Sequence, residues 1–228
     1  MSRTPSRFTA GGATPDSERV SAKSLAKALF DMGALRLGDF TLPSGKRSSY
    51  DIDLRLVPSY PDIYTTVLAA YVELVDRVVA NEFDSIAGVA IAGLAMSSPL
   101  AIMLKKPMMY VRKPGEGRGP DRLVEGVSPP GSRVLIIDDL VSTGRSLIAA
   151  TSALRKKGYK VTDTAVLVDR LEGGASRLAE VGVQLSSFTS ISDLLHALYE
   201  SKLVKKSQVE VILGQTEVRR STRTAESR

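Results

Sequence analysis

The chain has no cysteine and no tryptophan, a single histidine, and only 5% aromatic residues among 228. Missing thiols exclude disulfides, thiol nucleophiles and zinc-thiolate centres together. One histidine excludes a His-rich metal cage and most histidine-dependent triads. That residue, His196, lies at helical spacing in DLLHALY and reads as surface or packing rather than catalysis. Any metal must therefore bind through oxygen or arrive with a substrate. Also missing is an apolar run of about 18 residues, and the opening MSRTPSRFTAGGATPDSE has no apolar signal stretch. The expectation is a cytoplasmic protein with no membrane partner.

What is present is 43% hydrophobic and 25% charged, enough for one compact α/β domain with a real core. The formal charge of +6 points towards nucleic acid until it is located. Half of it sits in the ends. Residues 1–17 carry Arg3 and Arg7 against Asp16, and residues 215–228 carry Arg219, Arg220, Arg223 and Arg228 against Glu217 and Glu226. Both ends are polar and read as disordered tails, which argues against a nucleic-acid partner.

Between the tails the apolar period changes. Leu25, Leu29 and Met32 mark a short helix within 20–34. LGDFTLPSGKRSSYDIDLR (Leu37–Arg55) reads as two short strands around Pro43, Ser44 and Gly45, a small hood. Pro58 and Pro61 precede a longer helix with the stripe Ile63, Val67, Leu68, Tyr71, Leu74, Val75 and Val78. Strands at Ser85–Ile91, Pro107–Val111, Arg133–Ile137, Val161–Val168 and Val183–Ser187 then alternate with helices at Leu94–Leu104, Thr143–Lys157, Ala175–Val181 and Ile191–Leu198. Such alternation predicts a mostly parallel sheet flanked by helices, with ligands beyond the carboxyl ends of its strands. The expected organisation is a tail (1–17), a helix and hood (18–57), a core (58–203), and a C-terminal helix with a disordered tail (204–228).

The loop with the clearest chemistry is VLIIDDLVSTGRS. A strand over Val134–Ile137 would deliver Asp138 and Asp139 to the sheet edge, and Leu140 and Val141 lead into Ser142, Thr143, Gly144, Arg145 and Ser146 at a helix start. Helix-start amides, a glycine allowing close approach, and hydroxyls make a phosphate cradle. Two carboxylates beside an anion site suit a sugar diol, or a cation carried by the ligand. A helix N-cap would account for one acid but not two. A P-loop ATPase would need G-x-x-x-x-G-K-[ST], which this sequence does not contain.

Four apolar residues, two acids, two spacers, Ser-Thr-Gly and a further Ser resemble the 5-phosphoribosyl 1-diphosphate (PRPP) motif of type I phosphoribosyltransferases. FTLPSGKRSSYDIDLR (Phe40–Arg55), GVAIAG (Gly88–Gly93), YVRK (Tyr110–Lys113) and LVDRLEGG (Leu167–Gly174) narrow the resemblance to the orotate phosphoribosyltransferases, in unbroken order over about 20–203. The resemblance implies the type I phosphoribosyltransferase fold with an N-terminal hood, Mg²⁺ carried mainly by PRPP, and a homodimer. It also implies transfer of the 5-phosphoribosyl group to orotate in pyrimidine synthesis. Asp138 and Asp139 would hold the ribose diol, the segment Leu140 to Ser146 the 5′-phosphate, and Arg170 with Ser142 the orotate.

RKPGEGRGPDRLVEG (Arg112–Gly126) is long for a connection inside a compact domain and reads as a lid. By the resemblance Arg112, Lys113 and Arg118 would clamp the departing pyrophosphate while closure excludes water. Glu116 and Arg118 stand where most relatives carry a lysine and a histidine, Pro43 where many carry a lysine, and Ala92 where some do. An arginine can clamp an anion but does not donate a proton at neutral pH. Two alternatives stay open. Asp169, Arg170 and Glu172 also fit a surface ion cluster, and the basic surplus fits a non-catalytic PRPP-sensing regulator that binds nucleic acid.

Overall fold

The computed structural model describes residues 20–41, 45, 47–78, 83–112 and 123–226. The tail over 1–17, most of the hood turn, and Lys113, Glu116 and Arg118 lie outside the described residues. Helix α1 (Ala22–Asp31) begins on a Ser21–Ser24 capping box and buries Leu25, Ala26 and Leu29. The hood is an antiparallel pair, β1 (Leu35–Thr41) and β2 (Arg47–Ile52), with Leu35 opposite Ile52. A 3-10 turn over Leu54–Ser59, begun by Asp53, leads into α2 (Pro61–Val78).

Strands β3 (Ser85–Val89), β4 (Met108–Val111), β6 (Arg133–Val141), β7 (Lys160–Asp169) and β8 (Gln184–Ser190) form the expected parallel sheet, and β5 (Val124–Glu125) adds an antiparallel edge. The order is β5-β4-β3-β6-β7-β8. Its helices are α3 (Ala92–Leu104), α4 (Arg145–Lys156), α5 (Gly174–Glu180), α6 (Ile191–Glu200) and α7 (Lys206–Glu226). Alternate residues of β6 feed two cores. Leu135 and Ile137 join Leu25, Tyr71, Leu100 and Leu194 on one face, while Val134 and Ile136 meet Leu147, Leu154 and Leu178 on the other.

Three expectations need correction. The central strand does not stop at Ile137. It continues through both acids to Val141, because β7 runs on beside it and pairs Leu140 with Val168 and Val141 with Asp169. The end of the presumed lid is structured: Tyr110 pairs with Glu125 and Val111 with Val124, and the Arg112 N–H donates to the Leu123 carbonyl at 2.8 Å. Nor is the C-terminal region a disordered tail from 215 onward. It is helical to Glu226, since Val209, Ile212 and Thr216 form a thin buried stripe at spacings of three and four residues.

Candidate active site

A cleft of about 250 Å³ opens at the carboxyl ends of β3 and β6. Its floor carries Asp138 and Asp139, and one wall is the loop from Leu140 to Leu147. At the base of that loop Gly144 takes φ 73° as the N-cap of α4 and supplies no side-chain cap, so the first amides of α4 are left without an intrahelical partner. The opposite wall is Val89 to Ala92, where α3 also begins without a side-chain cap, at Ile91. The Ala90–Ile91 peptide is cis. Two helix N-termini, each with exposed amides and the positive end of a helix dipole, thus flank one pair of carboxylates.

Close packing fixes this arrangement. A methyl group on Gly93 would stand 2.6 Å from the Ile137 carbonyl and 2.7 Å from Asp138 Oδ1, so only glycine lets α3 start against the acid strand. Gly174 plays the same part behind the phosphate loop, where a Cβ would meet Val141 Cγ2 at 2.6 Å and the Ser142 carbonyl at 2.8 Å. Arg177 of α5 donates to the Thr143 carbonyl at 3.3 Å. Beneath the acids, the buried Tyr71 hydroxyl donates to the Asp138 carbonyl at 2.6 Å and accepts from the Leu167 N–H at 3.1 Å. Burial pushes the Tyr71 hydroxyl well above its ordinary pKa, so it is a neutral donor.

The two acids differ. Asp138 is 7% exposed and its Oδ1 accepts the Asp139 amide at 3.0 Å. Burial raises the pKa of Asp139 above the ordinary 3.8, against the pull of its backbone and Asp138 hydrogen bonds. Arg55 also lines the cleft, held by Asp53 through Nε–Oδ1 at 2.7 Å and Nη2–Oδ2 at 2.8 Å. That pairing lowers the Asp53 pKa and raises that of Arg55. Arg55 was not singled out from the sequence. The available signal was an acid two positions before an arginine ahead of Pro58, a local fork that fixes the guanidinium.

Asp138, Asp139 and the whole segment Leu140, Val141, Ser142, Thr143, Gly144, Arg145 and Ser146 converge on the cleft. Arg112 and Arg170 do not line it. Arg112 is half-buried, its Nη1 3.4 Å from Glu125 Oε1, because the β4–β5 hairpin turns it aside. Arg170 is 8% exposed: its Nε donates to the Tyr50 hydroxyl at 2.8 Å, its guanidinium covers the Tyr50 ring at 4.7 Å, and Nη2 lies 3.3 Å from Glu172 Oε1. The ion cluster considered above exists between Arg170 and Glu172, but it is buried rather than on the surface. The amide of Arg170 still donates to the Val141 carbonyl at 2.9 Å, which sets the residue next to Ser142. His196 is exposed, its Nδ1 2.8 Å from the Ser192 carbonyl, away from the cleft.

A mostly parallel sheet with a hood, an acid pair and a glycine-hydroxyl loop defines a phosphoribosyltransferase, and the phosphoribosyl transferase domain model matches residues 61–190. The orotate phosphoribosyltransferase of Sulfolobus acidocaldarius is 39% identical over 82% of this chain and 92% of its own length. The crystal structure of the Aeropyrum pernix orotate phosphoribosyltransferase superposes with a TM-score of 0.71 at 39% identity, covering 77% of this chain and 98% of that one. A Leishmania donovani UMP synthase structure gives a TM-score of 0.75 at 35% identity over 86% of this chain, which spans 42% of that protein. The chain belongs to the orotate phosphoribosyltransferase family.

Proposed function

We propose that the cleft transfers the 5-phosphoribosyl group of PRPP to orotate, giving orotidine 5′-monophosphate and pyrophosphate in pyrimidine synthesis. The observation that carries this reading is the pairing of two uncapped helix starts across one acid pair. A sugar with phosphate at both ends is the ligand that such a cleft complements. The 5′-phosphate goes to the amides and hydroxyls of Ser142 to Ser146, and the pyrophosphate to Ile91 and Ala92 with Arg55. Asp138 and Asp139 accept from the ribose diol between them. Orotate enters beside Ser142, where Arg170 pairs with its anionic edge.

Breaking the bond to pyrophosphate leaves a cation-like sugar, so positioning and fixed charge carry the reaction without a covalent enzyme intermediate. Arg112, Lys113 and Arg118 belong to the connection after β4 and meet the leaving pyrophosphate when that connection covers the cleft. Because Arg112 turns away from its own chain's cleft, a homodimer in which this connection serves the neighbour's site is part of the proposal. The cleft offers two carboxylates, and among the described residues no group of three or more His, Cys, Asp or Glu could hold a metal. That donor set fits Mg²⁺ delivered with PRPP better than a resident ion; when bound, it neutralises the departing charge.

The regulator reading gains nothing from these observations. The relatives are named as enzymes, and no helix-turn-helix accompanies α1 among the described residues. The test is direct: orotate, PRPP and Mg²⁺ are mixed with the protein and orotate absorbance is followed. Loss of absorbance with stoichiometric pyrophosphate is expected. PRPP binding without turnover would return the regulator.

A further inference from the structure

The cleft wall from Val89 to Ala92 carries no charged side chain of its own. Among the described residues two arginines line the cleft: Arg145, the first residue of α4, and Arg55, on the 3-10 turn that packs against α3. The Arg55 side chain is 70% exposed, so its pair with Asp53 adds little to stability. Its geometry is nevertheless over-determined. One carboxylate takes three bonds from one residue: Asp53 Oδ1 accepts the Arg55 N–H at 3.1 Å and Nε at 2.7 Å, and Oδ2 accepts Nη2 at 2.8 Å. Asp53 donates its own N–H to the Ala34 carbonyl at 2.8 Å, next to the Leu35–Ile52 pair of the hood, and Leu54 between the two charged residues is fully buried. The backbone of this mount is therefore fixed on the hood, and the fork fixes the side chain. It leaves Arg55 Nη1 with no hydrogen-bond partner among the described residues, on a side chain that faces the cleft.

We propose that Asp53 is a positioning residue for the pyrophosphate end of PRPP, holding Arg55 pre-set beside the uncharged wall so that the hood supplies a cation there. A free arginine gives up rotamer freedom when it takes an anion, which costs about twofold to tenfold in affinity. The Asp53 fork has already removed that freedom, and it occupies Nε and Nη2 while Nη1 remains for a phosphate oxygen. The carboxylate has an opposing effect, since its own charge repels the ligand. Only the positioning effect passes through Arg55, so the two can be separated. This inference rests on reading the cleft as a PRPP site, and the experiment distinguishes failure of one from failure of the other.

Dissociation constants for PRPP, pyrophosphate and ribose 5-phosphate, each with Mg²⁺, are measured by calorimetry on the full chain and on Arg55→Ala, Arg55→Lys, Asp53→Asn, and Asp53→Asn with Arg55→Ala. Asn is chosen because it can still accept the Arg55 N–H and cap the turn. Arg55→Ala should weaken PRPP and pyrophosphate about tenfold, the size expected when one charge-assisted contact is lost, and leave ribose 5-phosphate within about twofold. Asp53→Asn should weaken PRPP and pyrophosphate about threefold when Arg55 is present. In the Arg55→Ala chain the same substitution should have no effect or tighten both, because only the repulsion is then removed. Arg55→Lys, which keeps the charge without the fork, should fall between the parent and Arg55→Ala. If Asp53→Asn acts equally with and without Arg55, or does not weaken pyrophosphate when Arg55 is present, Asp53 is only a cap and the inference is overturned. It is overturned as well if Arg55→Lys equals the parent, or if Arg55→Ala weakens ribose 5-phosphate as much as pyrophosphate. If the parent chain binds no PRPP, the reading of the cleft itself is wrong. If the parent binds PRPP and Arg55→Ala binds it equally well, only the present inference falls.

Discussion

Removing one oxygen atom from Tyr71 tests how the acid pair is held. The ring is fully buried between α2 and the sheet, and its hydroxyl relays between two neighbouring strands, from the Leu167 N–H of β7 to the Asp138 carbonyl of β6. The strand pairing runs Ile137 with Ala165, Asp138 with Val166, then Leu140 with Val168, so the relay lies at the level of the acids within the ladder. Tyr71→Phe keeps the ring and its packing but strands one buried donor and one buried acceptor. Each unsatisfied group costs about 1–3 kcal/mol, so the pair should cost about 2–6 kcal/mol if the strands hold their places.

That loss would lower the melting temperature by roughly 2–4 °C per kcal/mol for a chain of this size, readable by calorimetry or a denaturant midpoint. The strands can instead close on each other and bond directly. Much of the stability then returns, but Asp138 moves with its carbonyl and the ribose diol loses its acceptors. The PRPP Michaelis constant should then rise by about tenfold while that for orotate stays put. One of the two signatures is required. A Tyr71→Phe enzyme within about 0.5 kcal/mol of the parent, with an unchanged PRPP constant, would refute the claim that this hydroxyl positions the acids.

Gly174→Ala should raise the PRPP constant by about tenfold or more with little change for orotate, because the new methyl group meets Val141 and the Ser142 carbonyl and overpacking costs ~1–3 kcal/mol; equal damage to both constants would argue against a specific prop. Asp139 gives opposite signs for stability and binding. Its raised folded pKa means that its stabilising contribution is complete below 3.8 and lost as pH rises through the raised value, so Asp139→Asn should stabilise the ligand-free protein at neutral pH and not at low pH. The same substitution should weaken PRPP, and parent PRPP affinity should fall with pH as Asp139 protonates; calorimetric titrations across that range check both. Asp53 runs the other way: its lowered pKa gives stability that is present above 3.8 and lost as pH falls through the depressed value. Mixing Asp138→Ala chains with Arg112→Ala chains should restore some activity if the connection after β4 serves the neighbouring site, and no recovery would confine each site to one chain.

The parts of the site readable in advance were those made by neighbours in sequence. The hydroxyls, Gly144 and the two acids follow one another, so the phosphate cradle could be inferred without any distant partner. The acids were read as a loop for an understandable reason: carboxylates are poor strand residues, and nothing local reveals that β7 continues beside them and carries the ladder to Val141. Long-range contacts hid the rest. Tyr71 looked like one more apolar position in a helical stripe, although its hydroxyl bridges residues 67 and 96 positions away. The C-terminal region was harder still, because its arginines and glutamates carry the composition of a tail while only Val209, Ile212 and Thr216 reveal a buried face. Its ordering also draws on a partner 47 positions upstream, the buried Glu172 carboxylate, which accepts from Arg219 Nη1 at 2.8 Å. A polar end is therefore not disordered by composition alone: a few buried apolar contacts and one charge needed elsewhere are enough to fix it.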